Sequence, residues 1–101
     1  MQLTALTRHP KAPSGVTVGT VTANSISLSW NPVPYREGIQ SYKVYREGVS
    51  VGTTNETSFT DSDLSPSTQY NYQVTAVGND GVESPKSTVV SAETGAADQT
   101  T

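Results

Sequence analysis

The feature that most constrains the fold is a period-two alternation of apolar and polar residues, which recurs in short segments along the chain. It is clearest at 25–31, where Ile26, Leu28 and Trp30 alternate with serines, and it returns at 69–77. Side chains of a β-strand point alternately to the two faces of a sheet, so one face of each segment is expected to be buried. The alternation therefore predicts strands packed over a core.

Clusters of Pro, Gly, Asn and Asp separate these segments at intervals of about 8 to 14 residues, which is typical of an all-β sandwich or barrel. The chain is rich in Thr, Ser and Val and only 15% charged, and β-branched side chains favour strands over helices. Seven strands are predicted, at 16–21, 25–31, 40–46, 49–53, 57–60, 69–77 and 88–94. Their inward positions predict a core of Val18, Ile26, Leu28, Trp30, Tyr42, Val44, Phe59, Leu64, Tyr70, Val74, Ala76 and Val90.

A chain of 101 residues has room for one hydrophobic core, so a single domain is expected. The first residues carry no sustained period, and the last ones are small and polar. Such segments bury too little surface to offset the entropy of ordering them. We therefore predict an N-terminal tail or linker at 1–11, a sandwich domain at 12–95 and a C-terminal linker at 96–101.

Charge and composition argue against several classes of partner. The formal net charge is −3 and the six basic residues are scattered, so no nucleic acid is expected as a partner. No apolar run approaches the roughly 20 residues of a membrane span. The chain has no cysteine, so neither a disulfide nor a thiolate metal site is expected.

The most specific motif is the run Leu64-Ser65-Pro66-Ser67-Thr68-Gln69-Tyr70, followed by the alternating Tyr72, Val74 and Ala76. It resembles the tyrosine corner of fibronectin type III domains, which are immunoglobulin-like β-sandwiches of seven strands. The resemblance implies structural roles for four residues. Leu64 would plug one end of the core, Pro66 would fix the turn, the Tyr70 hydroxyl would bond to the backbone near Leu64, and Trp30 would lie in the core.

Within that family the chain is most similar to modules of secreted bacterial glycoside hydrolases such as chitinases, through the hairpin at 45–48 and the loop at 80–84. This resemblance implies a non-catalytic spacer or accessory module in a secreted or surface-displayed multidomain protein, with a polysaccharide-degrading enzyme as the expected parent. The partners would be the neighbouring domains of the parent chain, with the module itself a monomer. The alternative is a module that binds carbohydrate or a cell surface, including an adhesion domain on a bacteriophage virion.

The sequence offers few residues suited to catalysis or to metal binding. The sole histidine, His9, falls in the predicted linker, where nothing fixes its geometry for general-base work. Asp61 and Asp63 could form a carboxylate pair or a calcium site, but turn formation explains their spacing better because Asp side chains bond nearby backbone amides. No catalytic residue, metal ligand or cofactor is therefore predicted, and an enzyme in its own right is the least favoured class.

Two aromatic residues are the candidates for contact with carbohydrate. Tyr35 lies in a proline-rich loop, and Tyr45 lies at an outward position of its strand. Both could therefore present a ring to a sugar, although the sequence does not place them next to each other. The alternative is that Tyr45 simply covers the sheet. Asn55-Glu56-Thr57 matches a glycosylation sequon, which we interpret as chance for a bacterial or phage protein.

Overall fold

The computed structural model describes residues 9–96, which form two antiparallel sheets and no helix. The parts of the predicted linkers at 1–8 and 97–101 lie outside the described residues. The strands are β1 (Thr17–Val21), β2 (Ile26–Ser29), β3 (Ile39–Arg46), β4 (Val49–Thr54), β5 (Ser58–Asp61), β6 (Gln69–Gly78) and β7 (Val90–Glu93). The all-β prediction is confirmed.

The seven strands divide into a three-stranded sheet with the order β1-β2-β5 and a four-stranded sheet with the order β4-β3-β6-β7. The two sheets enclose one core, as the alternating inward positions predicted. Its buried members are Ile26, Leu28, Trp30, Val33, Tyr42, Val44, Leu64, Tyr72, Val74 and Ala76.

The core differs from the predicted set at a few positions. Tyr72 is completely buried and Val33, from the loop after β2, is 7% exposed, although neither was in the predicted set. Four predicted members only flank the core, namely Val18, Phe59, Tyr70 and Val90. The reason is geometric, because side chains near the rim of a sandwich are covered on one side only, and parity along a strand does not show how close to the rim a residue lies.

The last predicted strand, at 88–94, begins later than expected, at Val90. The chain before it still runs along β6, but it is joined to that strand by serines. The N–H of Ser84 donates to the carbonyl of Ala76, and the N–H of Ser87 donates to that of Val74. The two hydroxyls accept the N–H groups of the same partners, Ala76 and Val74. We call this pair of contacts at Ser84 and Ser87 the serine seal.

The chain enters and leaves the sandwich at opposite ends of β1. Before β1, the carbonyl of Ser14 accepts the N–H of Asn31 at 2.9 Å. After β7, the N–H of Gly95 donates to the carbonyl of Thr22, just past the other end of β1, at 3.0 Å. With about 3.3 Å for each extended residue, the two anchoring points lie at most about 26 Å apart.

The boundary regions themselves pack against the domain. Pro10, which falls in the predicted linker 1–11, is fully buried. At the other end Thr94 is 3% exposed, and its hydroxyl donates to the carbonyl of Ser65 at 2.6 Å and accepts the N–H of Thr68 at 3.0 Å. The chain is therefore held by packing or by hydrogen bonds up to each boundary.

Candidate functional site

Tyr35 closes one end of the four-stranded sheet. It lies in the loop between β2 and β3 and is half-buried. Its ring lies against Gly78, the last residue of β6, so closely that a Cβ at Gly78 would lie 2.4 Å from Cε2 of the ring. Its hydroxyl donates a hydrogen bond of 2.7 Å to Oδ2 of Asp80. Both the ring and the hydroxyl of Tyr35 therefore have partners within the domain.

Tyr45 lies on the outer face of the four-stranded sheet, at the outward position that was predicted, and it is half-buried. Its hydroxyl donates to Oε2 of Glu83, which also accepts the hydroxyl of Thr75 at 2.7 Å. The ammonium group of Lys86 lies 4.8 Å from the centroid of the Tyr45 ring. Lys43 lies 3.7 Å from the other oxygen of Glu83. These five residues form what we call the outer-sheet cluster.

The hydrogen bonds of the outer-sheet cluster set its electrostatics. The bond that Tyr45 donates to Glu83 raises the pKa of the tyrosine, and partial burial adds to the effect. The same bond, together with the one from Thr75, holds the pKa of the Glu83 carboxyl below its ordinary value. The cluster is thus a charged glutamate that accepts two hydroxyl hydrogen bonds and lies near two lysines, and it covers this part of the sheet.

The structure does not bring the two tyrosines together. Tyr45 pairs with Gln73 on β6, whereas Tyr35 lies against Gly78, roughly 17 Å further along that strand at about 3.4 Å per residue. They also lie on opposite sides of the sheet. Gly78 shares the inward side of Ala76, and Tyr45 projects outward. Each ring would have to meet a ligand separately.

The corner at 64–70 is built around the hydroxyl of Tyr70. The hydroxyl of Tyr70 accepts the N–H of Ser65 at 3.0 Å, and Leu64 is 7% exposed. Pro66 contributes through its carbonyl, which accepts the hydroxyl of Thr68 at 2.9 Å. The corner is a structural feature that fixes the start of β6.

Trp30 is 5% exposed and lies in the core. Its ring meets that of Tyr42 edge to face, with centroids 5.6 Å apart and planes at 62°. The Tyr42 hydroxyl accepts the N–H of Val33 at 3.0 Å, while Nε1 of Trp30 has no hydrogen-bond partner within residues 9–96. Trp30 is therefore placed for packing and not for contact with a ligand.

An ion pair across the two sheets was missed by the sequence analysis. Asp61 was interpreted as a turn former, but its carboxylate is buried and accepts Arg46 at 2.6 Å and the hydroxyl of Tyr72 at 2.7 Å. Burial and the bond to Asp61 raise the pKa of Tyr72. The sequence did contain a signal for this pair, since Asp61 and Arg46 each occupy a position of their strand that faces inward. Opposite charges at inward positions of two strands indicate a pair.

Asp63, the other member of the suggested carboxylate pair, is exposed and has a φ of +63°. It occupies the left-handed region, which Asp tolerates in turns. Over residues 9–96, no three His, Asp or Glu side chains are grouped closely enough to hold a metal ion, and no pocket opens. The same part of the chain has no helix long and apolar enough to cross a membrane.

The sequence model of the fibronectin type III domain family matches residues 11–93 of this chain. The chain belongs to the fibronectin type III family. The two sheets of three and four strands and the Tyr70 corner agree with that assignment.

Several enzymes contain a segment similar to this fibronectin type III domain. The poly(3-hydroxybutyrate) depolymerase of Ralstonia pickettii is 47% identical over 83 residues, which are 82% of this chain and 16% of that protein. Chitinase Chi52 of Paenibacillus xylanexedens is 39% identical over 88 residues, which are 87% of this chain and 17% of that protein. The resemblance to modules of bacterial glycoside hydrolases is thus confirmed, and the chain spans about a sixth of these relatives' length.

The fold also recurs in solved structures. The family 28 exopolygalacturonase of Yersinia enterocolitica superposes with a TM-score of 0.80 at 24% identity, over 88% of this chain and 21% of that one. Identity at this level shows a shared fold alone.

Proposed function

We propose that this fibronectin type III domain is a non-catalytic spacer in a larger extracellular protein, and that the parent is an enzyme that degrades a polysaccharide. The observation that carries the proposal is the anchoring of the chain at opposite ends of β1, at Ser14 and at Thr22. A segment that enters at one end of the strand and leaves at the other separates whatever is joined to it by at least the length of β1, about 16 Å for five residues.

Rigidity at the two boundaries supports the same role. The hydroxyl of Thr94 bridges the backbone of Ser65 and Thr68, and Pro10 is fully buried at the other boundary. A flexible connection would lose the orientation of the neighbouring domains within a few residues. Here the direction of the chain is fixed up to each boundary, so the domain can set orientation as well as distance.

The relatives support a parent much larger than the domain. This chain corresponds to 16% of a poly(3-hydroxybutyrate) depolymerase and 17% of a chitinase, so the same unit recurs as a minor part of enzymes. The chitinase is the reason for proposing a polysaccharide as the substrate of the parent. It is also the reason for proposing an extracellular location, since an insoluble polymer has to be degraded outside the cell.

The first test is a pull-down of this chain with insoluble chitin, cellulose and bacterial cell walls, beside the variants Tyr35→Ala and Tyr45→Ala. A spacer is expected to stay in solution with all three materials, because both tyrosine hydroxyls are already bonded to carboxylates of the domain. Binding that one of the variants loses would replace the proposal with carbohydrate contact through that tyrosine. Binding that both variants keep would also contradict it and point to another surface.

The second test uses the full-length protein that contains this domain, with activity measured on an insoluble polymer and on a soluble oligomer. Residues 12–95 are replaced by an unrelated rigid sandwich of similar length or by a flexible Gly/Ser linker. We expect the rigid replacement to keep activity on the insoluble polymer and the linker to lower it, with the soluble oligomer unaffected. Equal losses with both replacements would show that the domain's own surface is needed, which a spacer does not require.

A further inference from the structure

The turn after β6 contains an aspartate, Asp80, followed by a glycine, Gly81, that has no neighbouring side chain packed against it. Gly81 has a φ of +85°, in the left-handed region, and a Cβ placed there would meet no heavy atom within 4 Å. Asp80 precedes it and is exposed. The peptide bond between the two residues is therefore accessible to water and unshielded by a side chain on Gly81.

The carboxylate of Asp80 accepts hydrogen bonds from Val82 and from Tyr35. Oδ1 accepts the N–H of Val82 at 3.3 Å, which keeps the carboxyl group close to the backbone of the turn. Oδ2 accepts the hydroxyl of Tyr35 at 2.7 Å, and this bond joins residues far apart in sequence. One contact thus brings the carboxyl group towards the backbone of Gly81, and the other restrains it from outside the turn.

We propose that Asp80 is a site of spontaneous isomerisation to isoaspartate, and that the hydroxyl of Tyr35 restrains the reaction. The nitrogen of Gly81 attacks Cγ of Asp80, and a five-membered succinimide forms with loss of its proton and one carboxyl oxygen as water. Water then adds to either carbonyl carbon of the ring. Opening on one side restores Asp80, and opening on the other leaves the backbone running through the side-chain carboxyl group.

Two contacts explain why the folded domain would slow this reaction. A hydroxyl that donates to a carboxylate stabilises its charged form, which is a poorer electrophile than the neutral acid. The attacking nitrogen is also engaged, because the N–H of Gly81 donates to the carbonyl of Gly78 at 2.9 Å. Loss of the Tyr35 hydroxyl removes the first of these restraints.

Isomerisation would alter the end of the sheet, because it adds one methylene group to the backbone of a tight turn. The carbonyl of Val82 accepts the N–H of Gly78 at 2.9 Å, and Glu83 forms a bridge with Val77 just beyond. A longer backbone between these residues cannot keep both contacts in their present register. The proposal is independent of the spacer role and concerns the lifetime of the domain.

The experiment is an incubation of the folded chain at physiological temperature and near-neutral pH, with isoaspartate at position 80 quantified by peptide mapping and mass spectrometry. Tyr35→Phe is expected to accumulate isoaspartate several-fold faster than the wild type. Tyr45→Phe removes a hydroxyl from the other side of the sheet and is expected to match the wild type. In strong denaturant all three chains should react at one rate, because the restraint depends on the fold.

A double variant, Tyr35→Phe with Asp80→Glu, checks the chemistry, since glutamate cannot form the five-membered ring and no product is expected at position 80. Equal rates for folded wild type and folded Tyr35→Phe would overturn the role of Tyr35. Absence of isoaspartate from every chain, including those in denaturant, would overturn the site itself.

Discussion

Ser84 bonds to both backbone groups of Ala76. Its N–H donates to the carbonyl of Ala76 at 2.7 Å, and its hydroxyl accepts the N–H of Ala76 at 2.9 Å. A neighbouring strand would usually supply these two bonds from two backbone groups. Here the Ser84 hydroxyl replaces its carbonyl oxygen in the second bond, and the chain continues into Pro85, a residue without an N–H to offer the sheet.

Ser84→Ala is therefore expected to lower the free energy of unfolding by about 1 to 3 kcal/mol, because the buried N–H of Ala76 loses its acceptor. Hydrogen exchange of the Ala76 amide should accelerate, while the Ser84 amide keeps its own partner. The measurement is urea unfolding together with exchange monitored by NMR. Ser62→Ala, at an exposed serine, is the control and should change stability by less than about 0.5 kcal/mol. Equal stabilities of the two variants would contradict the bridging role.

The pair between Arg46 and Asp61 is expected to stabilise the contact between the sheets. Arg46→Met leaves the carboxylate of Asp61 buried with the hydroxyl of Tyr72 as its donor. We expect a loss of about 2 to 3 kcal/mol, below the usual range for a broken buried pair because Arg46 is partly exposed. A double-mutant cycle with Asp61→Asn measures the coupling. A coupling energy near zero would show that the two side chains are merely adjacent.

The Tyr70 corner predicts a smaller effect. Tyr70→Phe removes the acceptor of the Ser65 N–H but keeps the ring, and Ser65 is exposed, so water can replace the lost bond. The expected cost is about 1 kcal/mol, at the lower end for an unmade hydrogen bond. Thermal unfolding of this variant beside the wild type checks it. An unchanged midpoint would mean that the corner is held by packing alone.

Two strand glycines give a matched pair of substitutions. In Gly52→Ala the new Cβ would lie 2.4 Å from Cζ of Phe59, which packs against the core. The ring has to move, and about 1 to 3 kcal/mol of stability should be lost through overpacking. In Gly19→Ala the nearest atom is the carbonyl oxygen of Ser27 at 3.8 Å, an ordinary contact, so no loss is expected. Similar unfolding midpoints for both variants would contradict this account of β4.

The lowered pKa of Glu83 predicts a dependence of stability on pH. The folded state binds the Glu83 proton less tightly than the unfolded state, so this contribution is complete above the ordinary value of 4.5. It is lost as the pH falls below that value and through the lowered pKa. Glu83→Gln should cost less than about 1 kcal/mol near neutral pH, since the group is partly exposed, and should flatten the acid limb of a stability profile. Glu56→Gln, at an exposed turn residue, serves as the control, and identical acid limbs for both variants would rule out the effect.

The strands and the family could be predicted from the sequence because their signals are local. Alternation in 25–31 and 69–77 depends on neighbours two residues apart, and the corner at 64–70 is a continuous run. All strand bounds lie within two residues of the prediction, and β7 begins at Val90, just after the serine seal. There the chain follows β6 without strand geometry, because side-chain hydroxyls take the place of backbone groups.

The roles of Asp61, Tyr35 and Tyr45 were decided only by the tertiary structure. Asp61 bonds to Arg46 across two sheets, and Tyr45 bonds to Glu83 from a segment far away in sequence. Parity assigns a side chain to a face of its own strand, but it does not say which distant residue will lie opposite. That choice follows from sheet order and register, which place Tyr35 and Tyr45 on opposite sides of one sheet and bring Asp61 to Arg46 and Tyr72. The sequence by itself determined the sandwich and its family, through local periodicity and turn chemistry, and long-range pairing decided which polar groups meet.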